Sequence, residues 1–477
     1  MGITYRILLP VALFALSGCT TIWNARDAQR QYADLSRDEG QFVGTNRIDL
    51  SSYTLSQLVD FAMTNRPTVV SAALAVEDAR LALKQLRADA PLISETPWLS
   101  PHLSVDGGYS AASESAKLKD LSWRTDGRAS ASVNLSIPLY DFGRHDARVK
   151  AQCEAVLDAE LKLVDTGYEV FYEVSDAYFT LLEKCALLAV ARTNVVECQL
   201  HLEQVEKRLD AGEAMELDVL QSRLALARAN EKVVSAQLEQ SSASAEFQRS
   251  VGLDSSYSSD GDVISFSGDP LRFVIRGFPD TEYTASEAFA LARTNAPIMR
   301  VMRSRLRAAS AEVDYAIADL MPEITASVSL NWTDPLWYWH WGVSAVQSVF
   351  QGFRKTTAVD RAVIALRQAA ASVEEEELAV SVSLELAVSA RDSALKAQET
   401  AEASLKESRN NLEAVRLQYQ VGDVSQVEYS DAVSSYVEAL GAGISAFYLK
   451  QRAEGAVFSL IGIYPVYEEK RITEVSE

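Results

Sequence analysis

Proline is the residue whose absences say most. None stands between Pro138 and Pro270, or between Pro335 and Pro465, although the 477-residue chain holds 12. A proline inside a helix costs about 3 kcal/mol, so two such runs leave room for exceptionally long helices. Glycine, at 21, is too sparse for collagen-like or low-complexity sequence. Four cysteines and four histidines (His102, His145, His201 and His340) lie in unrelated segments. Neither a disulfide framework, a metal-ligand spacing nor a set of catalytic groups is visible, and no enzyme is expected. Cys153, Cys185 and Cys198 sit in helical patterns and read as small buried hydrophobes. Lys+Arg 45 against Asp+Glu 66 gives a net charge of −21 with no basic patch, which excludes nucleic acid as a partner. There is no phosphate-cradling Gly-Lys-Ser/Thr loop, so the chain carries no energy source of its own. No apolar run reaches the ~18 residues of a membrane-spanning helix.

What is present begins at the N-terminus. Arg6 precedes an apolar core at residues 7–16, too short to span a bilayer, which takes roughly twenty residues. Leu16-Ser17-Gly18-Cys19 then resembles the lipobox of bacterial lipoproteins, in which the cysteine becomes the lipidated first residue. A plain cleavage site with a coincidental cysteine is the alternative. Thr20 follows, where an Asp would favour retention at the inner membrane, so the expected location is the outer membrane. A covalent lipid on Cys19, and no cofactor, is expected.

The most informative feature is an internal duplication. Thr64-Asn65-Arg66-Pro67 recurs as Thr294-Asn295-Ala296-Pro297. Tyr140-Asp141-Phe142-Gly143-Arg144 recurs more loosely as Phe350-Gln351-Gly352-Phe353-Arg354. The break at Gly212 answers one at Gly422, and Val251-Gly252-Leu253 answers Ile461-Gly462-Ile463. The last three pairs share an offset of about 210 positions, whereas the first is offset by about 230. Some twenty extra residues therefore fall in the first copy, between about 88 and 128.

Within each copy the pattern changes period. Val149, Val156, Leu163 and Val170 recur every seventh residue, as do Leu157, Val164, Phe171 and Tyr178. Leu181, Leu188, Val195, Leu202 and Leu209 continue the rhythm, which specifies helices that supercoil against partners. One long helix is expected over about 139–209, with shorter ones over about 55–88 and 215–250. The second copy repeats this over about 351–419, 285–320 and 424–461. In each copy the two shorter helices together match the long one, as if stacked end to end along it, which describes a rod. The short segments alternate instead: Ala129, Ala131, Val133, Leu135 and Ile137 against serines and Asn134. Ile324, Ala326, Val328, Leu330 and Trp332 do the same. About ten residues of such alternation fit a membrane β-barrel strand or a half-buried strand of a soluble sheet. Trp337, Trp339 and Trp341 nearby suit a lipid–water interface, or an aromatic cage, with His340 on the opposite face.

This duplicated plan resembles the TolC family of bacterial outer-membrane efflux proteins over nearly all of residues 54–463. The resemblance is carried by the paired Thr-Asn-x-Pro starts and by Ile137-Pro138-Leu139-Tyr140-Asp141-Phe142-Gly143-Arg144 entering the long helix. Gly212 and Gly422, with the Leu/Val and acidic residues that follow them, complete it. It implies a mainly α chain with a membrane β part. As a homotrimer, it would form one 12-stranded barrel in outer-membrane lipid, joined to a periplasmic α-helical barrel. It further implies helix-tip turns at Gly212 and Gly422 and a constriction ringed by Glu428 and Asp431, with Asp218 bonding toward the second tip, where Tyr419 stands. A basic residue would be expected two places after the second glycine, but Val424 is there, so any closed-state lock is built differently. The implied function is a passive exit duct served by a periplasmic adaptor (membrane fusion protein) and an inner-membrane pump. A coiled-coil envelope lipoprotein without a channel is the other reading. The parts expected are a signal peptide (1–18), a lipidated segment (19–53), the first repeat (54–253), a linker (254–283), the second repeat (284–463) and a tail (464–477). The cargo is not written in the sequence.

Overall fold

The structure is a computed structural model. It describes residues 25–26, 29, 48–49, 55–92, 101–113, 125–212, 215–252, 264–265, 274–280, 282–333, 336–348, 350–421, 423–464 and 468–471. Cys19, Gly422, the signal segment and most of the linker and tail lie outside the described residues. The elements below belong to one compact unit, residues 49–252 and 264–477; a second unit comprises residues 1–48 and 253–263.

Both copies fold into the same series. The first runs α1 (Leu55–Asn65), α2 (Pro67–Ala88), β1 (His102–Ser113), β2 (Thr125–Tyr140), α3 (Arg144–Asp210) and α4 (Glu216–Val251). A short strand, β3 (Val274–Gly277), precedes the second. That copy runs α5 (Ala285–Asn295), α6 (Pro297–Ala318), β4 (Glu323–Thr333), β5 (Leu336–Val346), α7 (Arg354–Val421) and α8 (Gln426–Ile461). β6 (Glu468–Arg471) then pairs antiparallel with β3. The long helices α3 and α7 hold 67 and 68 residues, each about 100 Å at 1.5 Å per residue. No helix among the described residues is long and apolar enough to cross a membrane.

The expected helices at 55–88 and 285–320 are each two helices. Pro67 and Pro297 occupy the first helical position and force Arg66 (ψ 128°) and Ala296 (ψ 125°) out of helical geometry. Each break is where the next helix end arrives. α4 stops at Gly252, which backs onto Arg66, and α8 stops at Gly462, which backs onto Ala296. Both glycines adopt positive φ, 82° and 75°, so the chain can end one helix where another begins. The end-to-end stacking expected from helix lengths is thus built at equivalent positions in both copies. The twenty extra residues are visible too: 55 residues separate α2 from α3, but 35 separate α6 from α7. They fall mainly in the approach to β1 and in the turn after it.

α3 packs against α2, α4, α6 and α8, while α7 packs against α5, α6 and α8. The heptad residues Val149, Val170, Phe171, Tyr178, Leu181 and Leu188 are buried, but Val164 is exposed. Where helix ends meet, Phe278 fills the core with Phe171, Phe179 and Phe458, at ring distances of 5.6–6.0 Å. A second cluster joins Ala292, Ala296 and Met299 to Val380, Leu384, Val457 and Ile461. Cys185 and Cys198 are half-buried, whereas Cys153 is exposed beside Arg87, contrary to the expectation of a buried thiol. Other apolar stripes face outward. Leu217, Leu220 and Leu224 line one side of α4, and Leu378, Val382 and Leu386 one side of α7, all more than half exposed.

A Cβ at Gly462 would lie 3.0 Å from the Ala296 Cα and 3.1 Å from the Asn295 carbonyl oxygen, neither of which can swing aside. Gly462→Ala should therefore destabilise the fold by about 2–4 kcal/mol, combining left-handed backbone strain with overpacking. Thermal denaturation in detergent checks this.

Candidate functional site

Two regions carry the features marked in the sequence: the four-stranded sheet and the helix tips at the far end of α3 and α7. The sheet has the order β1-β2-β4-β5, antiparallel throughout, so the two copies join through β2 and β4. Among the described residues, neither the outer edge of β1 nor that of β5 has a strand partner. Register aligns the alternation across all four strands. One face carries the rows Val105–Val133–Leu330–Trp339 and Leu103–Leu135–Val328–Trp341. The other carries Ser104–Asn134–Ser329–His340 and Asp106–Ser132–Asn331–Tyr338. Polar side chains on that face bond to one another: Asn134 Nδ2 donates to Asp106 at 3.3 Å, and Thr325 and Ser344 lie 3.0 Å apart. On the apolar face Trp337, Trp339 and Trp341 stay more than 60% exposed, so this single chain does not bury its greasiest surface. His340 lies on the polar face, 3.4 Å from Asn331.

Where the sheet passes into helix, both copies use the same strained turn. Phe142 and Phe353 have φ of 56° and 63°, a conformation that costs a bulky residue about 1–2 kcal/mol. Arg144, first in α3, reaches Glu323 at 2.5 Å and Asp319 at 3.6 Å, while Lys355 reaches Asp319 at 3.3 Å. The two copies are therefore clamped together where strands meet helices.

At the tips, Gly212 ends α3 with φ 77° and donates its N–H to the Leu209 carbonyl. α4 then starts with the Met215 N–H donating to Asp218 Oδ2 at 2.9 Å. α8 starts the same way: the Ser425 N–H donates to Glu428 Oε2 at 3.0 Å, and the Glu428 N–H returns a bond to Ser425 Oγ. Asp218 and Glu428 are thus equivalent residues, each the third of its helix and each capping its start. Asp431 is exposed one turn further on. The Tyr419 hydroxyl has its hydrogen bond with Arg208, and Asp218 acts on it through charge. Tyr419 stacks on Tyr429 at 4.9 Å and has the Arg208 guanidinium 5.3 Å above its ring. Burial pushes the Tyr419 hydroxyl above the ordinary tyrosine range, with Arg208 opposing.

Sequence reasoning missed a polar cluster beside these rings. His201 on α3, Ser222 on α4 and Gln426 on α8 form a hydrogen-bonded chain, and the imidazole lies 4.7 Å from the Tyr429 ring. His201 and Gln426 are 225 positions apart, and no spacing or motif could have paired them.

The sequence profile of a family described as outer membrane efflux protein matches residues 58–253 and 289–463, the two copies almost entire. The chain belongs to this family. Solved structures agree in fold. CusC superposes with a TM-score of 0.72 at 20% identity, covering 90% of this chain and 96% of its own. The Campylobacter jejuni CmeC outer membrane channel gives 0.71 at 15% identity, with 89% of each covered. The Vibrio cholerae outer membrane protein VceC gives 0.69 at 15%, covering 86% and 96%. No curated protein matches the chain. For an outer membrane efflux protein the two sheet faces have distinct solvents, lipid outside and water within.

Val328, mid-strand on the apolar face, and Asn331 on the polar face separate those environments. Val328→Arg should lower stability by about 2–4 kcal/mol, and Asn331→Arg by less than about 1 kcal/mol. Denaturant titration in lipid vesicles measures both.

Proposed function

We propose that the chain is the outer-membrane exit duct of a tripartite efflux or secretion system, assembled as a homotrimer and anchored by lipid on Cys19. The observation that carries this is the sheet: four strands, apolar on one face, with both outer edges unpaired among the described residues. In hydrocarbon each unmet backbone group costs several kcal/mol, so the edges have to pair with strands of other copies. Three copies supply twelve strands and close one barrel. The outward leucine stripes of α4 and α7 call for the same neighbours, as the walls of a helical barrel continuing into the periplasm. The non-conducting spacer accounts for the helices but has no use for a sheet with one greasy and one wet face.

Flow through the duct is passive, driven by an inner-membrane pump and coupled through a periplasmic adaptor. Glu428 and Asp431, just beyond the second tip, ring the constriction, and Asp218 and Tyr419 support it. Three acidic tips near one axis bind cations and oppose anion passage. An adaptor opens the duct to the extent that it binds splayed tips better than closed ones.

Glu428→Gln keeps the acceptor that caps α8 while removing charge, so pairing it with Asp431→Asn isolates the gate. In planar bilayers the double variant should lose block by divalent cations and shift single-channel conductance. Unchanged values would remove the gate assignment and leave the duct standing. Separately, radiolabelled palmitate should enter the wild-type chain but not Cys19→Ala; equal labelling would place the lipid elsewhere.

A further inference from the structure

Each passage from strand to helix holds two consecutive residues in the left-handed region. They are Phe142 (φ 56°) and Gly143 (φ 84°) in the first copy, Gly352 (φ 61°) and Phe353 (φ 63°) in the second. Glycine would fill all four places without strain. Each copy instead keeps one phenylalanine, and the two copies keep it in opposite order. The backbone therefore does not ask for that residue, and neither does the core: Phe142 is 41% exposed and Phe353 72%. What the copies share is a pair of neighbouring rings at the strand's end. Phe142 stands 4.7 Å from Tyr140, and Phe353 stands 5.6 Å from Phe350, which is itself 74% exposed.

Register gives the side on which these rings lie. Past the irregularity at Pro138, Tyr140 pairs with Ile324 and joins the apolar row Tyr140–Ile324–Ala345. Its contact with Phe142 carries the apolar face of the sheet beyond the last strand residue. Phe350 holds the place of Tyr140 in the second copy, 210 positions on. Height agrees as well. The row Ala131–Trp332–Trp337, near the other end of the sheet, lies eight residues away along β4. Eight residues run about 27 Å at about 3.4 Å each, which at a strand tilt of about 40° covers about 21 Å of membrane. The apolar band of a membrane barrel is about 25 Å tall, with aromatic residues at both borders. Trp332 and Trp337 stand at one border, and Tyr140, Phe142, Phe350 and Phe353 stand where the other falls. Immediately beyond them come Arg144, Asp319 and Lys355, charges that belong in water. We propose that the two strained turns are lipid anchors, seating the Phe142 and Phe353 rings, with Tyr140 and Phe350, in the headgroup boundary of the periplasmic leaflet. This rests on reading the sheet as part of a barrel in lipid. Seating removes ring surface from water, which offsets the strain that a Gly-Gly pair would avoid. It also fixes the height of the duct where its barrel passes into helices.

The test is photocrosslinking of the full-length chain in vesicles of phosphatidylethanolamine and phosphatidylglycerol. Benzoylphenylalanine, which keeps an aromatic ring, replaces Phe142, Phe353, Trp339 on the apolar face or Asn331 on the polar face, one at a time. After illumination, mass spectrometry separates protein–lipid adducts from links between subunits. Positions 142 and 353 should both yield phospholipid adducts, at the level of position 339 and several-fold above position 331. Links to another subunit, or no adduct, at either position while 339 still takes lipid would overturn the anchors and leave the barrel standing. Loss of lipid adducts at 339 as well would overturn the barrel reading itself, and the anchors with it.

Discussion

A strand edge in hydrocarbon leaves its N–H and C=O groups without water to bond, and the rest of this chain is organised around that cost. Four strands are too few to close on themselves, yet the sheet is apolar along one whole face, with Trp339 and Trp341 in line with Val133 and Leu135. On the proposed reading, further copies of the same sheet satisfy both demands. The helices obey a parallel rule in water: α4 and α7 expose leucines and a valine at helical spacing that stay uncovered among the described residues. On that reading a barrel in lipid and a barrel in water share the same partners.

Duplication makes this economical. Each copy spends one long helix against two shorter ones, and the joint between the shorter ones is the same local solution twice. Proline starts one helix, glycine ends another, and the two backbones meet at Arg66 and Ala296. The strained Phe142 and Phe353 turns recur at the passage from strand to helix, where Arg144 ties the first copy to Asp319 and Glu323 of the second. Strain of about 1–2 kcal/mol at each turn is affordable because ion pairs and packed helix ends fix the same backbone.

Much of this fold was legible because its signals are periodic and local. Heptads and the two proline-free runs gave α3 and α7 to within a few residues, and alternation gave β4 almost to its ends. β1 was harder to see, since Gly107 and Gly108 interrupt its alternation. Pro67 and Pro297 were visible, yet the helix breaks before them were not expected, because proline is equally at home at a helix start. The tips divide in the same way. Resemblance pointed to Asp218 and Glu428, but their shared capping geometry emerged only when both helix starts could be compared. The pairing of His201 with Gln426, and of Arg208 with Tyr419, joins residues that only tertiary packing brings together. Nothing periodic records such a contact.

The central claim is that this sheet closes only with sheets of other copies. Native mass spectrometry of the purified full-length chain, released from detergent micelles, tests it most directly. The account predicts a single species at three times the mass of the lipidated chain, resistant to dissociation by salt. A stable, folded monomer under the same conditions would contradict it.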